Sequence, residues 1–223
     1  LNYGSANVSV INTNTNTVSA TVAVGTTPYH SVTVGTDLYV LNYNSNNVSV
    51  VNTNTNTVSA TVTVGSGPKH STLEGTDLYV LNGLSGTVSV INTNTNTVSA
   101  TVTVGARPEY STLVGTDLYV LNYNVGNVSV VNTNTNIVSA TITINSQPLF
   151  STLVGTNLYV LNRNASSVSI IDTTAQTLNT CTVYQCSDNI DNDGDGSIDL
   201  DDGGCESTSD DNEVSGSSKN PDP

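Results

Sequence analysis

The segment Val-Gly-Thr-Asp-Leu-Tyr-Val-Leu-Asn at residues 34–42 returns almost unchanged at residues 74–82, 114–122 and 154–162. The rest of each 40-residue period is equally regular, with VSV, NTNT and VSATVTVG segments followed by a proline. A fixed period of this length is typical of repeat architectures, in which each unit buries its apolar faces against copies of itself. Function therefore has to be sought in the repeat array or in what is appended to it.

Each period predicts four strands and no helix, because β-branched residues dominate and Asn, Gly and Pro interrupt them at regular intervals. In the first complete period we predict strands at residues 29–34, 37–42, 48–52 and 57–64. The second of these strands is apolar on both faces, which is typical of a strand that is covered on both sides.

The outer and inner strands of the unit are expected to differ. The fourth strand alternates apolar residues with Thr and Ser, so Val58, Ala60, Val62 and Val64 are expected to share one face of a half-solvated outer strand. The first strand carries small residues, as at residues 71–73, which suits a crowded central axis. A four-stranded antiparallel unit graded in this way is a propeller blade.

The order YVLN, VSVINTNTNT, VSATVTVG and Pro resembles the YVTN-type β-propeller repeat of secreted and surface proteins of bacteria and archaea, over residues 1–183. In that family YVTN, VSVID, VVATIPVG and PxGVAVSPDG segments form the four strands. This chain has Leu for the usual Thr in YVLN, and NTNT in place of Asp-Thr-Ala-Thr-Asn; residues 172–174 are closer to the family form. The resemblance implies a propeller fold and an extracellular or cell-surface location.

We therefore predict an all-β, propeller-like array with complete blades at residues 28–64, 68–104, 108–144 and 148–183. Residues 1–24 form a partial blade without an inner strand. The chain starts without Met, which we interpret as a processed product or a fragment. An open strand edge is a template for another strand. The strand that pairs with this open edge comes from the C-terminal tail, from missing upstream sequence or from a neighbouring molecule.

The charge of the chain divides it into two predicted domains. Only four basic residues stand against 18 acidic ones, so no phosphate-binding surface can form and nucleic acid is excluded as a partner. Residues 1–180 carry a net charge of −3 and residues 181–223 one of −11. We predict a propeller domain at 1–183 and an acidic tail at 184–223. No apolar run approaches the roughly 18 residues that a membrane span needs, and no signal-peptide pattern is present.

The acidic tail contains the spacing of an EF-hand-like calcium loop that starts at Asp191. Carboxylates occupy loop positions 1, 3, 5, 9 and 12, with glycine at 6 and an apolar residue at 8. The tail resembles the DxDxDG loops of thrombospondin type 3 repeats and dockerins, because no helical sequence flanks it. A solvated acidic linker is the alternative, but it would not place Gly196 and Ile198 correctly. The predicted calcium ligands are Asp191, Asp193, Asp195, Ser197 through its backbone carbonyl, Asp199 and Asp202, which replaces the usual Glu.

Two cysteines bracket the calcium loop. The stretch CSDNIDNDGDGSIDLDDGGC is similar to a C-[DN]-x-IDNDGDG-x-ID-x-DPGC segment that recurs in microbial surface proteins. That similarity implies a disulfide between Cys186 and Cys205 and leaves Cys181 unassigned. A disulfide indicates an oxidising, extracellular setting. A zinc site is the weaker alternative, since the only histidines, His30 and His70, belong to the repeats.

The histidines share one repeat position with Tyr110 and Phe150. A catalytic or metal-binding pair is one interpretation of this position. We favour packing or hydrogen bonding, because Tyr and Phe replace His at the equivalent places. The sequence has no Gly-x-Ser-x-Gly, Cys–His set, phosphate loop or paired-carboxylate cleft. Near-identical repeats also argue against an active site, so we predict that the protein is not an enzyme.

Four Asn-x-Ser sequons are candidate glycosylation sites. Asn7, Asn47 and Asn127 share one repeat position, and Asn164 lies in a related loop. Chance alone produces several such triplets in a chain rich in Asn and Ser. Each asparagine nevertheless precedes a strand in an exposed turn of a secreted protein, as glycosylation requires. Thr residues of the NTNT loops are alternative O-linked sites.

These features predict a non-enzymatic, secreted structural protein, a calcium-stabilised and self-assembling subunit of an extracellular filament, surface layer or matrix. We expect a homo-oligomer or filament formed through the open N-terminal blade. Residues 206–223 have a disordered composition, and we expect them to add along the edge of a neighbouring copy. In the alternative, the tail completes a monomeric five-bladed ring.

A lectin-like or adhesive propeller on a microbial surface is the second predicted function. Such a protein would hold glycans or partner proteins with its blade-top loops. A divergent, aromatic-rich loop cluster would favour this function over the structural one. The only hint of such a cluster is Tyr3, Tyr43 and Tyr123, and Gly83 and Arg163 interrupt it.

Overall fold

The computed structural model describes residues 1–144, 147–163, 165 and 167–179. This part of the chain is all-β, with eighteen strands and no helix, as the sequence predicts. It accordingly contains no helix that is long and apolar enough to cross a membrane.

The strands follow the repeat closely, and their predicted bounds are confirmed to within one residue in the first complete period. In chain order the strands are β1 Asn7–Asn12, β2 Thr17–Ala23, β3 Pro28–Val34, β4 Asp37–Asn42, β5 Asn47–Asn52, β6 Thr57–Thr63, β7 Pro68–Glu74, β8 Asp77–Asn82, β9 Thr87–Asn92, β10 Thr97–Thr103, β11 Pro108–Val114, β12 Asp117–Asn122, β13 Asn127–Asn132, β14 Ile137–Thr143, β15 Pro148–Val154, β16 Asn157–Asn162, β17 Ser167–Asp172 and β18 Thr177–Asn179.

The strands form five separate antiparallel sheets, which we number as blades one to five. Blade one consists of β1 and β2, with a single bridge between Asn2 and Asn7 beside them. Blades two to five each have four strands in sequence order, from an inner to an outer strand. The predicted propeller-like array of four complete blades and one partial blade is confirmed. The predicted end of blade five at residue 183 lies outside the described residues.

The second strand of each complete blade is covered on both sides, as its apolar sequence predicts. We call the side toward the following blade the forward face and the opposite side the backward face. In blade two, Tyr39 and Leu41 lie on the forward face and pack against Leu78 and Val80 of blade three. Val40 lies on the backward face and packs against blade one. Burying one such side chain stabilises the fold by roughly 1.5–3 kcal/mol, so the contacts between blades are a major source of stability.

The asparagine that ends each second strand is buried and hydrogen-bonded. In blade two, Asn42 Nδ2 donates to Ser49 Oγ at 2.9 Å and to Asn47 Oδ1 at 2.8 Å. The Asn42 carboxamide lies directly against Gly25, where an added Cβ would come within 2.7 Å of the carboxamide carbon. The Asn of YVLN, the Ser of VSV and the Gly that follows the outer strand therefore form one packed unit.

The outer strands contain a β-bulge that a simple alternation does not predict. Val58 pairs with Val51, and the next paired residue is Ala60, opposite Val50. Ser59 is the extra residue, and its hydroxyl donates to the Val50 carbonyl at 3.2 Å. The prediction that Val58 and Ala60 share one face is therefore wrong. The bulge moves Val58 to the backward face, where it is 37% exposed.

The inner strands lie side by side and carry small side chains, as the sequence predicts. Hydroxyl groups join neighbouring inner strands: Thr72 Oγ1 lies 2.8 Å from Ser111 Oγ, and Thr112 Oγ1 lies 2.8 Å from Ser151 Oγ. Because these side chains are short, the inner strands can approach one another at the axis while their polar groups stay paired.

Candidate interaction surfaces

The predicted calcium loop and disulfide lie outside the described residues. The same holds for Cys181 and for the tail at residues 206–223. Among the residues that the structure describes, no group of three or more His, Cys, Asp or Glu side chains is placed to hold a metal ion. The residues concerned are Asp191, Asp193, Asp195, Ser197, Asp199, Asp202, Cys186 and Cys205, and their roles stay predictions.

Three of the predicted glycosylation asparagines begin the third strand of their blades. Asn7, Asn47 and Asn127 are half-buried. The Oδ1 atom of each accepts a hydrogen bond from an asparagine five residues earlier, at 2.6 Å for Asn7 and 2.8 Å for the other two. Asn164 lies outside the described residues. Glycosylation at these positions stays a prediction.

The NTNT turns between the third and outer strands repeat one set of hydrogen bonds. In blade three, Asn92 Oδ1 accepts from the backbone N–H groups of Asn94 and Thr95, both at 3.1 Å. This is an Asx-type turn. Asn96 closes the turn with φ 55°, a left-handed conformation that Asn tolerates better than most residues.

A tyrosine hydroxyl from one blade binds the NTNT turn of the next. The Tyr39 hydroxyl donates to the Thr93 carbonyl at 3.1 Å and to Asn96 Oδ1 at 2.6 Å. Tyr79 repeats both contacts on blade four at 3.0 Å, and Tyr119 donates to the corresponding carbonyl of blade five at 3.1 Å. Burial and, secondarily, nearby carboxylates raise the pKa of Tyr79 and of Tyr119 to about 12, so both hydroxyls remain donors at neutral pH.

The two ends of the array expose apolar side chains that the other blades bury. On the forward face of blade five, Leu161 is 50% exposed and Val168 is 52% exposed. The equivalent Leu121 and Val128 of blade four are both 0% exposed. On the backward face of blade one, Ile11 is 60% exposed, whereas the equivalent residues of the other blades are buried.

We name these two uncovered surfaces the forward end and the backward end. A groove of about 430 Å³ runs along the forward end and is lined by Phe150 and Leu161 among others. Tyr159 stands at the repeat position that joins blades two, three and four to the next blade, and its hydroxyl has no hydrogen-bond partner among the described residues. The forward end comprises Tyr159, Leu161 and Val168. The backward end comprises Ile11, Val18 and the turn at residues 12–16.

A third surface gathers the positions at which the repeats differ, and we call it the variable face. Neighbouring inner strands β7 and β11 place Lys69 Nζ 2.6 Å from Glu109 Oε1, and Arg107, in the turn before β11, places its Nε 2.5 Å from the same oxygen. Lys69 also lies over the Tyr43 ring, 5.7 Å from its centroid, and Arg107 lies over the Tyr123 ring at 4.5 Å. The variable face thus combines aromatic rings with a compact charge network.

The variable face contains a cavity of about 540 Å³ between Lys69 and Arg107, which Leu84 and Asn124 also line. Gly83 stands where other repeats have Tyr or Arg, and an added Cβ there would lie 3.0 Å from Lys69 Cδ. The glycine that interrupts the tyrosine pattern therefore makes room for the lysine. The cavity is open to solvent and is lined by both polar and apolar side chains.

The two histidines are part of a stack of rings along the inner strands. The ring centroids of His30, His70, Tyr110 and Phe150 lie successively 5.0, 4.4 and 5.3 Å apart. Nδ1 of each histidine lies within 3.4 Å of a serine hydroxyl on the following inner strand. These contacts support the packing and hydrogen-bonding interpretation. Burial, with a smaller effect of the neighbouring His30, lowers the pKa of His70 to about 4.

Sequence reasoning did not find the Lys69–Glu109 ion pair or the tyrosine contacts between blades. A usable signal exists for the ion pair, because Lys69 and Glu109 occupy the same repeat position 40 residues apart. In a stack of equal units, equal positions become neighbours, so opposite charges one period apart are expected to pair.

No model of a known protein family matches the chain, and no curated protein matches its sequence. Solved structures with propeller-like folds do match its structure. BamB from Moraxella catarrhalis is 15% identical with a TM-score of 0.65, over 78% of this chain and 57% of that chain. Hydrazine synthase of Kuenenia stuttgartiensis is 23% identical with a TM-score of 0.62, over 68% of this chain and 47% of that chain.

The dihydro-heme d1 dehydrogenase NirN, in complex with DHE, is 12% identical with a TM-score of 0.64, over 79% of this chain and 41% of that chain. The chain spans about half the length of the structures that it matches. At these levels of identity the similarity concerns the fold alone, and it establishes a β-propeller fold.

Proposed function

We propose that this protein is a non-enzymatic structural subunit that assembles with copies of itself into an extracellular filament, surface layer or matrix. The observation that carries the proposal is the exposure of Leu161, Val168 and Ile11 at the two ends of the array. Exposed apolar surface of this kind marks an interaction site. Since the two ends are different surfaces of one chain, contacts between them would be heterologous and would produce a ring or a filament.

The extracellular location rests on the resemblance to YVTN-type repeats and on the predicted disulfide between Cys186 and Cys205. The absence of enzymatic activity rests on the near-identity of the repeats, because a catalytic site needs one blade to differ in its reactive groups. The variable face holds the main differences, and its Lys69, Glu109 and Arg107 side chains bind one another. Charged side chains that are paired with one another in this way suit a structural or binding role.

The assembly is tested by measuring the mass of the full chain over a range of concentrations. We expect light scattering to show a mass that rises with concentration in buffer containing calcium, and negative-stain images to show rings or filaments. A single monomeric mass at every concentration would contradict the proposal.

We further propose that the loop from Asp191 to Asp202 binds calcium and that the ion stabilises the tail. The five predicted carboxylate ligands lie within twelve residues and repel one another, so a divalent cation is strongly favoured there. Titration calorimetry should detect calcium binding to the full chain with its disulfide intact. Asp193→Ala and Asp195→Ala should each weaken binding at least tenfold. Absence of binding at millimolar calcium would refute the site.

Adhesive binding of glycans or partner proteins is a second candidate function, favoured by the concentration of repeat differences on the variable face. Tyr43 offers an aromatic surface in the wall of the 540 Å³ cavity. A glycan array probed with the full chain should give hits that Tyr43→Ala removes. Thr55→Ala, in an NTNT turn away from this cavity, is the control. An array without hits would speak against a lectin-like role.

A further inference from the structure

The contacts between blades two, three, four and five follow one pattern with two complementary halves. The forward face contributes the tyrosine hydroxyl and a buried set of Leu and Val side chains, as Tyr79 and Leu81 do in blade three. The backward face of the following blade contributes buried apolar residues such as Val131 and the acceptors of its NTNT turn. In blade four this backward face also includes Leu118 and Val120 of the second strand β12.

The forward end carries the first half of this pattern, and the backward end carries the third-strand and turn part of the second half, because blade one has only β1 and β2. The forward end has the tyrosine, Tyr159, together with the exposed Leu161. The backward end has the exposed Ile11 and the turn at residues 12–16, whose NTNTN sequence matches that of residues 92–96. Its conformation is also the same, since Asn14 N–H donates to Asn12 Oδ1 at 2.9 Å and Asn16 has φ 54°.

We infer that a second copy of this chain docks its backward end on the forward end of the first. The Tyr159 hydroxyl of one copy then donates to the Thr13 carbonyl and the Asn16 carboxamide of the other. This inference rests on the proposed assembly function and names the two surfaces that carry it. The contact reproduces the tyrosine-to-turn part of a joint that the chain already forms within itself. Blade one lacks the second strand that carries Leu78 and Val80 in blade three, so Ile11 and Val18 supply the apolar surface of the backward end.

The charge distribution favours a second copy over the acidic tail as the occupant of the forward end. Residues 1–36 contain no charged side chain, so blade one can be buried without desolvating a charge. Residues 181–223 instead carry twelve acidic residues and few apolar ones, and they have little to offer the exposed Leu161 and Val168. Apolar surface is best covered by the uncharged blade that exposes Ile11 and Val18.

The test is a complementation experiment on the full chain in calcium-containing buffer. Leu161→Asp blocks only the forward end, and Ile11→Asp blocks only the backward end. Both residues are at least half exposed, so both variants should keep the native circular dichroism spectrum and melting temperature. We expect each variant alone to be monomeric. An equimolar mixture of the two should form a heterodimer, because exactly one unaltered pair of ends remains.

Each outcome separates this inference from the assembly proposal. If the unaltered chain is monomeric at all concentrations, both fail, as they would if the tail or intramolecular ring closure covers the ends. If the unaltered chain assembles and the single variants assemble equally well, self-assembly stands and the assigned surfaces are wrong. If both variants are monomeric but their mixture stays monomeric, head-to-tail pairing is wrong.

The tyrosine contact is tested by Tyr159→Phe, which removes only the hydroxyl. We expect the dissociation constant of the assembly to rise about tenfold, the effect of losing one net hydrogen bond. Tyr119→Phe is the matched control, because its hydroxyl is used within the chain and its loss should leave the dissociation constant unchanged. Equal effects of the two substitutions would overturn the role given to Tyr159.

Discussion

Blades four and five share the STLVGT and LYVLN segments but have different surroundings. Both contain the LYVLN segment, yet Leu121 is buried by blade five while Leu161 is half exposed. Tyr119 is buried and hydrogen-bonded, whereas Tyr159 is only half-buried and its hydroxyl lacks a partner in the described part of the chain. The difference teaches that a blade of this type is complete only when another blade covers it, as the energetics of repeat proteins require.

Truncating the same leucine in the two blades should give the largest contrast. Leu121→Ala should lower the free energy of unfolding by about 2–5 kcal/mol, because it leaves a cavity between two blades. Leu161→Ala should cost less than about 1 kcal/mol when the protein is dilute and monomeric, since that side chain is half exposed. Urea unfolding measures both values, and equal losses would show that Leu161 is covered in solution.

His70 of blade three and Phe150 of blade five occupy the same repeat position on the inner strands. This position allows a pH test of the contrast between a covered blade and the end blade. The folded pKa of His70 is about 4, below the ordinary 6.5, so the unfolded chain binds a proton more readily between these values. The contribution of neutral His70 to the free energy of unfolding is therefore fully present above pH 6.5, and it is lost as the pH falls toward 4. The loss should be at most about 3 kcal/mol.

The variant His70→Tyr isolates this effect from the titration of the acidic residues. It should show a smaller loss of stability between pH 7 and pH 4.5 than the unaltered chain in urea titrations. Phe150→His places histidine at the same repeat position in blade five, where the ring is 53% exposed, and should add little pH dependence. An identical pH profile for His70→Tyr and the unaltered chain would show that His70 is not desolvated.

Removing a single tyrosine hydroxyl should give the smallest contrast. Tyr79→Phe leaves the Thr133 carbonyl and Asn136 carboxamide without a donor and should cost about 1–2 kcal/mol in thermal or urea unfolding. Tyr159→Phe should leave the stability of the dilute monomer unchanged. A comparable loss at Tyr159 would mean that its hydroxyl is already bound within the chain.

Much of the fold follows from local patterns that recur 40 residues apart. The two-residue turn at Gly35 is such a pattern, because its φ of 58° favours glycine at the hairpin. The continuous apolar run from Leu38 to Leu41 likewise predicts a strand covered on both sides, and the structure confirms it. The alternation rule failed at Val58, because a bulge one residue long shifts the pairing and leaves no mark in the order of apolar and polar residues.

The candidate surfaces were predicted less well than the fold. The sequence directed attention to the calcium loop and the sequons, whereas the Lys69–Glu109–Arg107 network and the tyrosine contacts emerge only when blades are placed side by side. Lys69 and Glu109 are 40 residues apart, and Tyr39 and Asn96 are 57 residues apart, so no local window contains either contact.

The sequence by itself determined the unit: four strands, their turns and the buried Asn–Ser pair, since all of these depend on residues close together in the chain. Only the tertiary structure decided which faces of that unit are buried. Leu121 and Leu161 have the same local sequence, and the presence or absence of a neighbouring blade alone sets their exposure. The burial of a side chain depends on what packs against it, and the period of the repeat does not specify how blades pack against one another.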